Sequence, residues 1–319
     1  MKCILCEGNL SSEPIFSIKD RLKRDKRTFS VHECVECHSI IIDPIPTEKE
    51  IIDLYPLSNY TFRIDKSNNL KGLITMIEWE LFFKRRYLRD HRIISNVLRK
   101  EQFSILDIGC GPGMRIRLFK DLGCYVEGLD ISSDDIDYLK SNNINAHKGT
   151  VEDVGIVDRK YDIVSMFELI EHLPDPLKSI LIIRDLLKDN ALLVISVPIL
   201  DSFHYRFLRE DYIAVKEMPR HIFIPTMKGL HLMFKKAGFT LLSYSCESIL
   251  QNAASFALSL FDRGRFASFS NELGFRSISN RVLLWLLAIF PGLLLSLYEH
   301  FSGISSEVVL FLRKDDHSN

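Results

Sequence analysis

The strongest constraint on the fold is the run Ile105-Leu-Asp-Ile-Gly-Cys-Gly-Pro-Gly113, which follows an apolar stretch and precedes a helical one. Glycines at 109, 111 and 113 allow a tight strand-to-helix turn and let a ligand come close to the main chain. The helix beyond the loop offers N–H groups that have no partner within the helix. Asp130 ends the next apolar run, 23 residues after Asp107, where a carboxylate can hold ribose hydroxyls. On these residues alone, a nicotinamide dinucleotide and S-adenosylmethionine both fit.

Around this loop, short apolar runs alternate with helical stretches from 103 to 248, the pattern of an α/β domain with a mostly parallel sheet. Seven runs read as strands: 104–108, 125–130, 144–148, 161–166, 191–197, 239–246 and 307–312. Pro198 closes the fifth. Helices are expected at 113–121, 133–141, 176–188 and 226–237, the last capped by Gly238. Leu73, Ile77, Trp79, Leu81, Tyr87, Leu88, Ile94 and Leu98 recur at roughly helical period, so 70–100 reads as a helical connector. The 319 residues suggest about two domains. We divide them into a Cys-rich module (1–60), the connector (61–102), an α/β domain (103–250 with 305–314) and an apolar helical insertion (251–304). With 46% apolar and 26% charged residues, the chain is neither wholly disordered, collagen-like nor a multi-span membrane protein. Its 41 Lys+Arg balance 42 Asp+Glu, so the molecule as a whole is not a polyanion binder.

Five segments carry a family resemblance. LDIGCGPG resembles motif I of class I S-adenosylmethionine-dependent methyltransferases. GLDIS (128–132), GTVEDV (149–154), YDIVSMFELIEHLPDP (161–176) and RHIFIPTMKGLHLMFKKAGF (220–239) are similar to their later motifs, in the family's order. The resemblance covers about 103–248 plus 307–312. It implies a Rossmann-like, doubly wound seven-stranded sheet with the last strand antiparallel. It also implies site roles. Gly109, Gly111 and Gly113 pass the methionine part of the cofactor, Asp107 lies near its ammonium, and Asp130 binds the ribose. Asp153 faces the adenine, and Phe167 with Glu168 sits beside the transferring methyl. Asp130 and Asp153 also have a plainer reading, as helix or turn caps.

Cys3-x-x-Cys6 and Cys34-x-x-Cys37 are separated by 27 residues. Two such knuckles can complete the tetrahedral four-sulfur shell that Zn²⁺ accepts. A closed shell leaves no position for substrate, so the expected zinc is structural, in a zinc-ribbon-like module. His32 and His38 flank the second knuckle as substitute ligands. The free-thiol pattern fits a reducing, cytoplasmic compartment, and the first residues hold no apolar run long enough for a signal peptide.

Glu168-x-x-Glu171-His172, with His221 later, is similar to the motif of ubiquinone-biosynthesis O-methyltransferases and of small-RNA 2′-O-methyltransferases. In both, the matching residues accompany a divalent cation beside the acceptor hydroxyl. Mg²⁺ or another divalent cation would lower that hydroxyl's pKa. Metal-free acid–base or substrate contact, and purely structural histidines, are the competing readings.

Residues 282–298 carry no charge, and Pro291-Gly292 is expected to break a helix there. A helix of 17 residues spans about 25 Å, short of a hydrocarbon core of about 30 Å. The insertion lies between two strands of one sheet, so it leaves and returns on the same side. A hairpin lying on the inner face of the membrane fits this, as do a buried lid and a dimer interface. The basic runs 19–27 and 84–92 read as solvated faces. The N-terminal pattern also resembles a zinc module fused before methyltransferase domains in bacterial glycan and natural-product gene clusters. The sequence therefore points to O-methylation of a glycan, lipid-linked saccharide or other amphiphilic small molecule. The alternatives are an RNA methyltransferase gripping nucleic acid with the module, which the neutral charge disfavours, and a non-catalytic cofactor-binding scaffold.

Overall fold

A computed structural model describes residues 1–55, 76, 79–157, 159–261 and 278–315. Leu73 and Ile77 of the connector and the basic residues after the first apolar helix of the insertion lie outside the described residues. Two sheets organise the rest. β1 (Phe16–Lys19), β2 (Thr28–Glu33) and β3 (Ile40–Asp43) form an antiparallel meander. The larger sheet comprises β4 (Ser104–Ile108), β5 (Tyr125–Asp130), β6 (Asn145–Lys148), β7 (Tyr161–Phe167) and β8 (Leu187–Pro198), all parallel. β9 (Phe223–Ile224) belongs to the small sheet, while β10 (Phe239–Cys246) and β11 (Glu307–Lys314) complete the large one. The large sheet runs β10-β11-β8-β7-β4-β5-β6, with β11 antiparallel to both neighbours. It is the α/β, seven-stranded arrangement expected of class I methyltransferases.

Alternation along the strands sorts the core into two layers. On β4 and β8, Leu106, Ile108, Leu193 and Ile195 face one layer. Ile105, Leu192 and Val194 face the other. The first layer also contains Cys3, Leu5, Phe29, Val31 and Ile40–Ile42 of the N-terminal module, so the module shares one core with the elements on that face, with Leu5 and Cys37 lying close to Gly229 on Met227–Lys236. Its own sheet borrows β9 from the far side of the chain: Ile40 pairs with Ile224 and Ile41 with Phe223.

The helices are α1 (Glu48–Leu54), α2 (Arg85–Leu98), α3 (Met114–Asp121), α4 (Ser133–Ser141), α5 (Pro176–Arg184), α6 (Phe203–Leu208), α7 (Ile213–Lys216), α8 (Met227–Lys236), α9 (Ile249–Phe261) and α10 (Ile278–Ser302). Side-chain caps start α1 (Thr47), α4 (Ser132), α5 (Asp175) and α8 (Thr226), each satisfying an N–H that the helix leaves free. α2 continues a π-helical turn at Trp79–Lys84 and ends at Arg99 in the left-handed region.

Two expectations are corrected. The helix predicted over 176–188 stops at Arg184, and β8 begins at Leu187 rather than 191. Tyr161 N–H donates to Leu186 C=O and Tyr161 pairs with Leu187, so edge pairing with β7 wins over helical periodicity. α10 also runs through Pro291 without a break. A proline there costs one N–H and crowds the preceding turn. Packing offsets this: a Cβ at Gly292 would lie 2.9 Å from Ala253 O, so the missing side chain is what lets α9 approach. Glu299 binds the pair together, accepting from Asn252 Nδ2 (2.5 Å) and from Phe203 N–H at the start of α6 (2.6 Å). Among the described residues, no helix is long and apolar enough to cross a membrane.

Asp162 closes the amino ends of β4 and β7. It accepts from Ser104 N–H and Oγ (both 2.8 Å) and pairs with Lys100 (2.7 Å) and Lys188 (3.2 Å). Burial opposes ionisation, but the Lys100 ammonium, Ser104 and Lys188 outweigh it and hold the carboxyl well below the usual range. A depressed pKa stabilises the fold above the unfolded value of about 3.9 and loses that contribution as pH falls. Asp162→Asn is therefore expected to lower the melting temperature at pH 7. The gap to wild type should narrow in melts run below about pH 4.

Candidate active site

The carboxyl ends of β4, β5 and β7 form the ligand-binding edge of a doubly wound sheet. Gly109, Gly111 and Gly113 all take positive φ, at 71°, 50° and 69°. Gly109 N–H donates to Leu129 C=O and Gly111 N–H to Asp130 Oδ2, both at 2.8 Å. Asp130 Oδ1 accepts from Ser132 N–H at 2.8 Å. The Asp130 carboxylate is thus aimed by two main-chain donors, and each oxygen keeps a lone pair for a further partner. Asp107 is buried and accepts from Ser165 Oγ at 2.5 Å. Burial raises its pKa, opposed by the Arg115 guanidinium and the Ser165 hydroxyl.

Phe167 closes β7, with the Arg115 guanidinium over its ring. The other side of Arg115 faces Tyr87, 4.6 Å from the ring centroid. Asp153 turns back to accept from Thr150 N–H (2.8 Å) and caps the 3-10 helix at Val151–Ile156.

Immediately after Phe167, the four acceptor-side residues separate. Glu168 has φ 53°, a conformation disfavoured for a residue with a Cβ. It is exposed, and Oε1 accepts from Ser196 Oγ at 2.6 Å. Glu171, His172 and His221 instead converge, their ligand atoms within 4.8 Å of one another. His172 Nδ1 lies 2.9 Å from Arg220 C=O, and His221 Nδ1 lies 2.9 Å from Ala214 C=O. Each Nδ1 therefore carries the proton and donates to a carbonyl, leaving Nε2 with a free lone pair. Among the described residues, neither Glu171 oxygen has a hydrogen-bond partner, and Oε1 lies 3.8 Å from His221 Nε2. Burial pushes the Glu171 carboxyl up to about 8 and both imidazoles down to about 3.

An orphaned buried carboxyl is costly. Two imidazoles oriented by carbonyls through Nδ1 are the arrangement that aims ligands at a metal. The three residues fit a divalent cation, which would supply the missing partner.

The four cysteines also converge within 4.8 Å. Cys3 Sγ is 3.7 Å from Cys37 Sγ, and Cys6 Sγ is 3.5 Å from Cys34 Sγ. A tetrahedral shell with metal–sulfur bonds of about 2.3 Å has edges of about 3.8 Å. The two knuckles repeat one construction. Cys3 N–H donates to Gly8 C=O and Glu7 N–H to Cys3 C=O; Cys34 N–H donates to Ser39 C=O and His38 N–H to Cys34 C=O, all at 2.9 Å. Glu7 and His38 take matching φ of 64° and 62°. The imidazoles are engaged elsewhere: His32 Nδ1 meets Ser11 C=O, and His38 Nδ1 meets Glu33.

The run 84–92, read in sequence as a solvated face, instead buries Arg86 and Asp90, and further polar residues near the site were missed. Arg86 bonds Ser196 and pairs with Glu307 on β11, 221 positions away. Asp90 is fully buried, and Ser165 and Ser196 sit inside apolar strands. The available signal was polar residues on otherwise apolar faces: Arg86 and Asp90 lie four apart on α2, on the side that carries Ile94.

Residues 81–244, just over half of the chain, match the model of a methyltransferase-domain family. The ubiquinone biosynthesis O-methyltransferase of Glaesserella parasuis serovar 5 is 37% identical over 103 residues, 29% of this chain and 44% of that protein. The corresponding enzyme of Cereibacter sphaeroides (strain ATCC 17025) is 32% identical over 111 residues, 33% and 45%. The chain thus spans less than half the length of the curated relatives it matches. The crystal structure of the plantazolicin methyltransferase aligns with a TM-score of 0.45 at 19% identity, over 79% of this chain and 93% of that one.

The loop geometry gives a direct test. A Cβ at Gly113 would collide with Leu139 Cδ2 at a φ of 69°. Gly113→Ala is expected to weaken S-adenosylmethionine binding at least tenfold by calorimetry, the loss of about 1.4 kcal/mol. Unchanged affinity would remove the loop from the cofactor site.

Proposed function

Starting from the fact that this chain belongs to the family of S-adenosylmethionine-dependent methyltransferases, we propose that it methylates a hydroxyl oxygen of an amphiphilic acceptor. A glycan, a lipid-linked saccharide or a related small molecule is the class intended. The observation that carries the oxygen reading is the orphaned Glu171 carboxyl facing two neutral imidazoles. In the reaction, the methyl carbon leaves the sulfonium sulfur and bonds the acceptor oxygen. S-adenosylhomocysteine is released and the hydroxyl proton is lost. A sulfonium methyl is already activated, so alignment supplies much of the rate. Glu171, His172 and His221 would hold a divalent cation, Mg²⁺ or similar, which when bound lowers the acceptor hydroxyl's pKa. Phe167 and Glu168 border the methyl, while Asp107, Asp130 and the glycine loop hold the cofactor. Asp153 spends both its carboxylate and its N–H on Thr150, as the plainer capping reading has it.

The four cysteines would hold a structural Zn²⁺, adding folding energy to a module of about 60 residues, too small for a large core of its own. Support for an amphiphilic acceptor comes from α10. Phe290, Leu294, Leu297, Tyr298 and Phe301 are exposed at helical spacing, Phe301 by 85%, and Phe207 on α6 is 74% exposed nearby. Such a stripe suits shallow contact with the inner face of a membrane.

Methyl transfer from labelled S-adenosylmethionine into fractionated cell extract tests this reading. Label is expected in the organic-extractable fraction. Label in ribonuclease-sensitive material would put an RNA acceptor in its place. His172→Ala should keep cofactor affinity and lose turnover by at least tenfold; full activity would sink the acceptor site. Metal analysis is expected to find one zinc per chain, lost in Cys34→Ser together with several degrees of melting temperature.

A further inference from the structure

The four-cysteine knuckle and the Glu171–His172–His221 group are joined by hydrogen bonds from Cys37 and Ser39 to Thr226 and by the main chain from Thr226 back to His221. Cys37 Sγ approaches Ser39 Oγ at 3.3 Å. Thr226 N–H donates to Ser39 Oγ at 3.0 Å, and Thr226 Oγ1 donates to Cys37 C=O. Thr226 follows β9 by two residues, and β9 follows His221 by two. β9 is itself held in the small sheet by β3. On the other side of His221, Arg220 is buried and its guanidinium reaches Asp20 of the module at 3.4 Å. The Arg220 carbonyl is the group that fixes His172 Nδ1. The segment 220–226 is therefore pinned to the N-terminal module at both ends, with the imidazole-bearing stretch between.

We propose that the zinc knuckle is a positioning element for the acceptor site, with Thr226 as the positioning residue that transmits its geometry to His221. The inference rests on the reading of Glu171, His172 and His221 as a cation site. A zinc held by the four cysteines would fix the Cys37 main chain; Thr226 binds that carbonyl, and β9 connects Thr226 back to His221. The cofactor loop is held by Leu129 and Asp130 on β5, and none of its hydrogen bonds involves Thr226. Loss of the Thr226 hydroxyl thus separates the two halves of the active site: the acceptor side loosens and the cofactor side does not.

The test uses Mn²⁺ as the probe, titrated into zinc-loaded full-length protein with free ion counted by electron paramagnetic resonance. Wild type is expected to bind one Mn²⁺. Thr226→Val should retain one zinc and bind S-adenosylmethionine within about twofold of wild type. Its Mn²⁺ affinity should fall about tenfold or more, the usual cost of losing a group that orients a ligand. Thr226→Ser keeps the hydroxyl and should keep wild-type Mn²⁺ binding; Ser also keeps the α8 cap to Gly229 N–H, so Asp20→Asn, which leaves that cap untouched, separates positioning from capping. Asp20→Asn, which weakens the tie to Arg220, provides a second variant in case Thr226→Val does not fold; it should lower Mn²⁺ affinity in the same direction. Wild-type Mn²⁺ affinity in folded, zinc-loaded Thr226→Val or Asp20→Asn overturns this inference alone. Absence of Mn²⁺ binding in wild type overturns the cation reading and this inference with it.

Discussion

Ile222 commits its two main-chain groups to different parts of the molecule. Its N–H donates to Glu171 C=O at 2.8 Å, and its C=O accepts from Ile42 N–H at 3.0 Å. One residue thereby joins the 3-10 turn at Ile170–His172, which follows β7 of the large sheet, to β3 of the small one. Buried main-chain groups need partners, so neither sheet can shift without breaking a bond to the other. The placement of His172, His221 and the cysteine knuckle all follow from that junction.

The proposed site divides its labour between main chain and side chain. In that reading cofactor binding would rely on main-chain geometry, with three positive-φ glycines and a carboxylate aimed by N–H donors. The proposed acceptor side would rely on three side chains whose burial removes their charge. Uncharged imidazoles are the form in which histidine binds a metal. A cation arriving beside Glu171 would reverse the local electrostatics, favouring the ionised carboxylate that burial alone suppresses. Glu168, held in a disfavoured conformation between these two regions, keeps its carboxylate on the wall of the cleft through Ser196.

Most of the large sheet was legible because apolar runs of β period stand between turn residues, and because the glycine loop admits few conformations. What escaped was what depends on partners distant in sequence. β9 is two residues long, too short for any periodic signal, and exists because β3 offers it an edge. The end of α5 was misplaced because Leu186 and Leu187 fit a helix face as well as a strand. Pro291 was read as a break because its cost is local, while the contact of Gly292 with Ala253 that offsets it is not. The Glu168-x-x-Glu171-His172 set looked like one unit in sequence. Three dimensions keep Glu171 and His172 with His221 and send Glu168 toward Ser196 and Glu307, whose place beside it nothing in the local sequence announces.

The position of β11 has a consequence for how the chain comes off the ribosome. Among the described strands it comes last in the sequence, yet it sits between β8 and β10. Until residues 307–314 emerge, β8 presents an open edge and β10 has no neighbour at all. Unpaired edges of apolar strands are templates for association with other chains. At a synthesis rate of roughly 5–20 residues per second, the interval between β8 and β11 lasts seconds. During it, α9 and the apolar α10 are also without their final support. A chain truncated between β10 and β11 would keep that apolar edge of β8 open, the kind of edge that pairs with other chains.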